Sequence, residues 1–353
     1  MSRPQKPPHI SRTWLAEIIG EEGLTGQRMQ AGAILDQMDL VAADAAIRHA
    51  QRPVVTLAFD RVELTQPILH QDLVRLEGEV VAVGNSSMTI LVQGFRQDQL
   101  SRDFVPIQKA FVTMVALDQE GRPDRTIPTL GSATAQEQAW ANEAATWKQL
   151  NLDCEQHLAQ LKAQPLPPVE ELEEPSNREK SELLRPEQTV VQMRRHFMPR
   201  HNNLLGTVFG GDILLWLDRV ATYTARLFTR NPHMVTLAMD RIFFRAPIRP
   251  TDWVELTARV TYVRRFTLEV EIQVVLQRPL GNGETEVIPS HSGTFTVLNY
   301  DLSGFKRPII TGLNLKDAPE EDLWRYHLAR QRHQFWREHR GSPADEPPRL
   351  SMF

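Results

Sequence analysis

The sequence predicts an α+β protein built from two tandem copies of one unit, each an antiparallel sheet wrapped around a central helix. Three observations lead there: an internal repeat, one element order in both copies, and two helices that are apolar on nearly every side. Residues 54–62 read VVTLAFDRV and residues 234–242 read MVTLAMDRI, an offset of 180. The same offset pairs Pro67-Ile68 with Pro247-Ile248, Asp72 with Asp252, Val80 with Val260 and Ser87 with Thr267. Upstream the offset is 179, pairing Gly32 with Gly211 and Asp39 with Asp218. Downstream it becomes 183, pairing Thr113 with Thr296 and Asp118 with Asp301. Matches recurring in order over about 90 residues, with one length change on each side, mark a duplication; two copies make a pair of packed domains, not a solenoid.

Each copy opens with a helix, expected over 31–49 and 211–228. In the second, Ile213, Leu214, Leu217, Ala221 and Leu227 fall near helical spacing. A helix with so little polar surface is expected to be buried. Strands rich in Val, Thr, Ile and Phe follow, over 53–64, 73–83, 87–96 and 108–117, then over 233–245, 253–263, 267–277 and 292–300. The second copy has an added first strand near 187–198, whereas its match, 9–20, is short and less strand-like. Residues 133–163 form an amphipathic helix anchored by Trp140, Trp147, Leu150 and Leu158. They run into a Pro/Glu-rich stretch, QPLPPVEELEEPSNREK, expected to be an exposed linker. The tail, 319–340, is a basic, aromatic helix. The expected division is an N-terminal domain over 1–130, a helical linker over 131–186, a C-terminal domain over 187–312 and a helical tail over 313–353.

Composition removes several function classes. Lys+Arg 40 against Asp+Glu 44 leaves a net charge of −4, without the basic surplus of a general nucleic-acid binder. The longest apolar runs are about six residues, far short of a membrane span. The N-terminus lacks the apolar core of a secretory signal, so a cytoplasmic protein is expected. The single cysteine, Cys154, excludes an internal disulfide framework and a cysteine-based zinc site. His327, His333 and His339 sit six apart, which does not stack them on one helix face, so a packing helix is the simpler reading of the tail. Neither a phosphate loop nor a Rossmann glycine fingerprint nor a serine elbow is present.

The chemistry concentrates where Gly210-Gly211 opens the second helix. Glycine lets a ligand approach the backbone closely. The first N–H groups of a helix lack intrahelical partners and favour negative charge, which suits a developing oxyanion. Asp218 lies seven residues after Gly211, about two turns on, so both fall on one face; a carbonyl or water between them is the expectation. Its neighbours Leu214, Leu215, Leu217 and Ala221 make that face apolar, so an idle carboxylate there would be costly.

The segment Asn203-Leu-Leu-Gly206-Thr-Val-Phe209-Gly210-Gly211, with Asp218 seven residues on, resembles the hot-dog-fold acyl-CoA thioesterases. So do VTLAMDRIFFRAPI (235–248) and TDWVEL (251–256). The likeness is to the tandem-domain cytosolic acyl-CoA hydrolases and their single-domain bacterial relatives. It covers about 185–302 well and, through the repeat, about 24–130 more weakly. It implies hydrolysis of an acyl-CoA thioester without metal or redox cofactor, coenzyme A being part of the substrate. It also implies homo-oligomers, a trimer of double-domain chains among them. The helix acid then serves as general base on water, or as a nucleophile forming a mixed anhydride, and the asparagine of one unit faces the acid of the other. Copy one keeps Asp39 but has Leu24 at the asparagine position and Gln30-Ala31 for Phe209-Gly210. The cross-domain rule thus favours Asp39 with Asn203, while the glycine motif on its own helix favours Asp218. The incomplete mirror site would have Thr25 and Gln27 near Asp218.

Other residues carry simpler readings beside the functional ones. Thr56, Thr236, Ser87 and Thr267 match strand positions near the substrate in related enzymes, but threonine is also a good strand former. Coenzyme A phosphates need cations, for which Arg264, Arg265 and Arg245 are candidates or ordinary surface arginines. Asp60-Arg61 and Asp240-Arg241 read as structural ion pairs, and Asn203 also suits a turn. Asp44 and His49 have a hydratase-like spacing without the surrounding motif. Two rival functions follow: a non-catalytic acyl-CoA-binding or regulatory protein, and a hydratase or dehydratase, which would need a histidine with an acid in the motif.

Overall fold

The computed structural model describes residues 3–20, 24–25, 28–98, 100, 103–203 and 205–340. The first half contains β1 (Thr13–Ile18), α1 (Ala31–Ala50), β2 (Val54–Phe59), β3 (Val62–Glu63), β4 (Leu73–Val83), β5 (Ser87–Gln97) and β6 (Val105–Ala116). A long helix, α2 (Ala135–Lys162), leads to the second half. That half contains β7 (Val191–Arg195), α3 (Gly210–Thr229), β8 (Met234–Met239), β9 (Ile242–Phe243), β10 (Trp253–Val263), β11 (Thr267–Pro279) and β12 (Thr285–Asn299), followed by α4 (Glu320–Arg340). Each half is an antiparallel sheet around its own helix, so the chain is a double hot-dog.

The two sheets exchange edges. Their orders are β9-β2-β6-β5-β4-β1 and β7-β10-β11-β12-β8-β3, so each ends in a two-residue strand from the other half. Ile242 and Phe243 pair with Phe59 and Ala58, and Val62 and Glu63 pair with Met239 and Ala238. Each predicted strand of about a dozen residues is therefore broken by a corner at Asp60-Arg61 or Asp240-Arg241, where it crosses to the other sheet. The corner arginines also cross over: Arg61 pairs with Asp240, and Arg241 Nε lies 3.0 Å from Asp60. Burial would raise the carboxyl pKa of Asp240, but Arg61 and Arg332 overcome it and lower it. These are the structural ion pairs expected, but formed between copies.

The central helices pack antiparallel along the join. Ile34, Leu35, Met38, Val41, Ala42 and Ala45 of α1, and Ile213, Leu214, Leu217, Val220, Ala221 and Ala225 of α3, are buried. A Leu or Ile side chain buried this way contributes about 1.5–3 kcal/mol. The helices are less uniformly buried than their composition suggests, since Leu40, Tyr223 and Leu227 face outward. Their approach depends on glycine: a Cβ on Gly32 would lie 2.9 Å from Leu215 Cα, and one on Gly211 would lie 2.9 Å from Asp36 Cα.

Two expectations change. The 9–20 stretch does hold a strand, β1, whose six residues pair with β4 as β7 pairs with β10. The Pro/Glu-rich stretch is not simply a free linker. It makes two helical turns, Val169–Leu172 and Pro175–Arg178, that bury Leu172 and Asn177. Asn177 holds the backbone of Leu313 through both ends of its amide, at 2.7 and 2.9 Å. Helix α2 starts with a capping box, Thr134 with Glu137. It packs with α4 over the outer sheet face in a small second core of Val81, Leu91, Phe111, Trp147, Phe335 and Trp336. Burial pushes the Cys154 thiol up to about 12, leaving it unreactive as a nucleophile. Among the described residues no helix is long and apolar enough to cross a membrane.

Because backbone lies against Gly32, Gly32→Ala should force the helices apart. The expected cost is about 1–3 kcal/mol, read as a lower thermal midpoint. Gly20→Ala, where an added Cβ meets nothing within 4 Å, should stay within about 0.5 kcal/mol of the parent.

Candidate active site

Antiparallel packing sets each helix acid against the first turn of the opposite helix. Asp39 Oδ2 accepts the Gly211 N–H at 2.9 Å, and Asp39 Oδ1 accepts the Thr56 hydroxyl at 2.8 Å. In the mirror half-site, Asp218 Oδ2 accepts the Gly32 N–H at 2.8 Å and Oδ1 accepts the Thr236 hydroxyl at 2.5 Å. The expected pairing of Gly211 with Asp218 on one helix is therefore wrong. Seven residues do put them on one face, but the face looks onto the other helix, whose acid takes the glycine N–H. The glycine motif and the cross-domain rule no longer disagree: Gly210, Gly211 and Asp39 belong to one site.

Both acids are fully buried. Burial is the main influence on Asp39, against which the Thr56 and Gly211 hydrogen bonds pull down; the outcome is a carboxyl pKa raised to about 7. Asp218 is raised for the same first reason, with Thr236 and Gly32 opposing.

Both threonines sit where their own strand, β2 or β8, is irregular. The register slips between Thr56 and Ala58, and again between Thr236 and Ala238. Such bulges re-aim side chains. The bulged residues, Leu57 and Leu237, present their carbonyls across the join to the N–H groups of Phe244 and Leu64, at 2.9 and 2.8 Å. Thr56 and Thr236 are thus more than strand formers, whereas Thr267 lies elsewhere in the second sheet, opposite Leu298.

The half-sites differ in detail. Gly210 lies hard against Asp39: a Cβ there would stand 2.8 Å from Asp39 Oδ2 and 3.1 Å from Thr56 Oγ1. The mirror half-site has Ala31, methyl included. Phe209 caps α3 in extended conformation and gives its N–H to the His201 carbonyl at 2.8 Å. Asn203 is half-buried, and its side-chain hydrogen bonds stay within its own loop. Its Oδ1 accepts from the Leu205 and Thr207 N–H groups at 2.9 and 3.2 Å, and its Nδ2 donates to Thr207 Oγ1 at 3.0 Å. Gly206 completes that loop at φ +74°. The side chains of Leu24, Thr25 and Gln27 lie outside the described residues.

Three polar groups that sequence reasoning passed over gather near Gly211. Asp36, one turn before Asp39, is raised to about 6, by burial first and by the charge of Asp212 second. Asp212, raised chiefly by burial, stands 3.5 Å from His201 Nδ1. Their counterparts by repeat are Leu215, Ala33 and Glu22, so the cluster belongs to one half-site. That loss of symmetry was the available signal.

Of the candidate cations, Arg245 follows Phe244, whose N–H meets the Leu57 carbonyl next to Thr56. Arg264, in the turn before β11, meets His333 of α4 at 2.9 Å and lines a cavity of about 110 Å³ on the Asp218 side. Arg265 is exposed over the Phe266 ring, and Arg245 is exposed as well. Asp44 and His49 do not meet: Asp44 accepts from Thr13 and Arg48, while His49 Nε2 reaches the Pro128 carbonyl at 2.9 Å. Among the described residues there is no group of three or more histidine, cysteine or acidic side chains placed to hold a metal.

Two sheet-wrapped helices packed antiparallel, each sheet completed by a short strand of the other half, make a hot-dog thioesterase-type fold. The thioesterase superfamily model matches residues 29–101 and 205–280, one stretch in each half, and the chain belongs to that superfamily. It is 26% identical to mouse acyl-coenzyme A thioesterase 11 over 306 residues, 86% of this chain and 49% of that protein. It is 33% identical to an uncharacterized acyl-CoA thioester hydrolase of Zymomonas mobilis over 101 residues, 29% of this chain and 68% of that protein. Among solved structures it matches an acyl-CoA hydrolase from Staphylococcus aureus, in complex with butyryl coenzyme A, coenzyme A and coenzyme A disulfide. That match is at 26% identity with a TM-score of 0.40, over 46% of this chain and 100% of that one. The chain spans about half the length of the mammalian relatives it matches over most of its own length.

Since the Thr56 hydroxyl bond favours ionised Asp39, Thr56→Val should move the Asp39 midpoint above about 7. Thr56→Ser should leave it in place. Infrared difference titration of the carboxylate band, with Asp39→Asn as reference, reads both.

Proposed function

We propose that the chain is an acyl-CoA thioesterase that hydrolyses its substrate at the Asp39 half-site. The observation that carries this reading is a fully buried Asp39 carboxylate lying against the Gly210-Gly211 turn of the other half, with a pKa raised to about 7. A base whose pKa lies near the operating pH combines the ionised form with real proton affinity. In the reaction read here, ionised Asp39 takes a proton from water as that water attacks the thioester carbon. The carbonyl oxygen gains negative charge at the α3 N-terminus, where the Gly210 N–H has no intrahelical partner. The carbon–sulfur bond breaks, coenzyme A leaves as thiolate and takes a proton, and the free acid remains. Asn203 would orient water or carbonyl through its amide, in place of its present hydrogen bonds to Leu205 and Thr207.

The general-base role is favoured over the nucleophilic one by the engagement of both Asp39 oxygens, Oδ1 by Thr56 and Oδ2 by Gly211. Proton transfer needs only a water within hydrogen-bond reach, whereas attack would have to bring the thioester carbon to bonding distance of a fully buried carboxylate held at both oxygens. The names of the mammalian and bacterial relatives support the acyl-CoA substrate class. The rival reading as an acyl-CoA-binding protein predicts binding without thiol release.

Thiol release from short- to long-chain acyl-CoAs tests the proposal. Asp39→Ala should lose about 100-fold or more, on the scale of a missing general base. Asn203→Ala should also fall, while Asp218→Ala should stay within a few-fold. Loss in Asp218→Ala with Asp39→Ala intact would move the chemistry to the other half-site. Because Asp39 acts ionised, kcat/KM should rise about tenfold per pH unit below about 7 and level off above it. A profile flat from pH 5 to 8 would contradict this.

A further inference from the structure

The two sheets end differently on their outer sides. The first sheet ends in β1 and the second in β7, and among the described residues no strand lies beyond either. An open edge offers unpaired backbone N–H and C=O groups to any other strand, so natural sheets blunt it with charge, proline or a cover. Thr13 pairs with Gly78 and Val191 with Ala258, and Gly78 and Ala258 match by the repeat. Trp14, Ala16 and Ile18 therefore stand where the second edge has Gln192, Arg194 and, just past β7, His196. Those three polar residues are exposed, and Arg194 Nε lies 3.0 Å from Glu255. The second edge is thus blunted by polar and charged side chains. In the first, Trp14 is 70% exposed, Ile18 is 66% exposed, and Ala16 between them is exposed too.

The backbone of the same three residues points outward. Ile19 turns both its groups toward β4, its N–H to the Asp72 carbonyl and its carbonyl to the Gln71 N–H, each at 2.9 Å. At the other end, the Val80 N–H of β4 donates to Ser11 Oγ at 2.9 Å. Successive residues of an antiparallel strand bond to opposite sides. Thr13, Leu15 and Glu17 therefore face β4, while Trp14, Ala16 and Ile18 face away from the sheet. Side chains alternate with the same period. Leu15 packs against the core, and Trp14, Ala16 and Ile18 line the outer face. The open hydrogen-bonding row and the apolar row belong to the same residues.

That row is complementary to itself. Two β1 strands set antiparallel about a two-fold axis at Ala16 bring Trp14 opposite Ile18 of a second copy, and Ala16 opposite Ala16 of that copy. Each outward-facing residue then meets another, and every such pair exchanges two bonds, about six in all. Each indole lies beside an isoleucine, an aromatic and β-branched pair of the kind that stabilises sheets. Leu73, beside Ile18 on β4, extends the apolar row. Contacts between like copies about a two-fold need this self-complementarity. The same operation on the other edge would set Arg194 against itself, and like charges directly opposite are destabilising.

We propose that β1 is the surface through which two copies of this chain associate, joining their first sheets edge to edge about a two-fold axis at Ala16. The occupant is a second copy because register, side chains and symmetry all match it. The contact is independent of which acid hydrolyses the thioester.

Sedimentation velocity and light scattering of the full chain test it. The parent should have a mass that is an even multiple of the chain's. Ala16→Pro removes the outward N–H at the axis and nothing that β4 uses, and proline is tolerated on a free edge. It should halve the mass, and so should Trp14→Glu. Arg194→Pro, the matching change on the other edge, should leave the mass unchanged. Ala16→Cys should give a disulfide-linked pair of chains under mild oxidation, because Cα atoms of a hydrogen-bonded pair lie about 5.5 Å apart. Arg194→Cys should not, and Cys154 is buried. A parent with the mass of one chain or an odd multiple would overturn the proposal. So would an assembly that survives both Ala16→Pro and Trp14→Glu, one broken equally by Arg194→Pro, or an Ala16→Cys chain that does not cross-link. Thermal melts confirm folding, and if Ala16→Pro does not fold, Trp14→Glu and the cross-link decide.

Discussion

Two buried hydrogen bonds, from the Gly211 N–H to Asp39 and from the Gly32 N–H to Asp218, tie the halves of this chain together. Each meets two needs at once. A helix N-terminus has N–H groups without intrahelical partners and a partial positive charge. A buried carboxylate needs donors and positive potential. Satisfying both across one interface requires antiparallel helices with their first turns facing the middle of their partners. It also requires glycine where backbone meets backbone. The crossed corner pairs, Arg61 with Asp240 and Arg241 with Asp60, fix the same two-fold relation at the sheet edges.

The same contact joins stability to chemistry. The donor that holds Asp39 in the fold also lowers its pKa against the effect of burial, and the balance sets the acid near neutrality. A strand bulge adds the Thr56 hydroxyl. The scaffold is thereby used twice, but the two uses have diverged. Near Asp39, Gly210 leaves room beside the carboxylate, and Asp36, Asp212 and His201 gather at the helix start. Near Asp218, the Ala31 methyl stands in its place, and the Arg28 guanidinium lies over the Tyr300 ring. Duplication within one chain permits this, because a homodimer with two identical sites cannot change one alone.

Much of the plan was legible in the residues. The repeat, the paired helices and strands, and Asp39, Asp218 and the glycine pair all stood in the sequence. Thr56 and Thr236 were legible as matches to substrate-side strand positions or as plain strand formers, because nothing local distinguishes a threonine at a bulge from one in a regular strand. Asp36, Asp212 and His201 gave no periodic or motif signal; their meaning lies in having no match in the other copy. Arg264 looked like a phosphate contact, yet its turn lies on the Asp218 side, beside α4.

The sequence by itself determined that there are two like domains, where each central helix begins, and that each carries a buried acid. Those follow from local composition and from repetition, which need no partner. Only the tertiary structure decided which glycines serve which acid. Spacing along one helix fixes a face but not what the face meets. Antiparallel packing brings Gly211 to Asp39, not to Asp218, and that assignment exists only once two distant helices lie side by side.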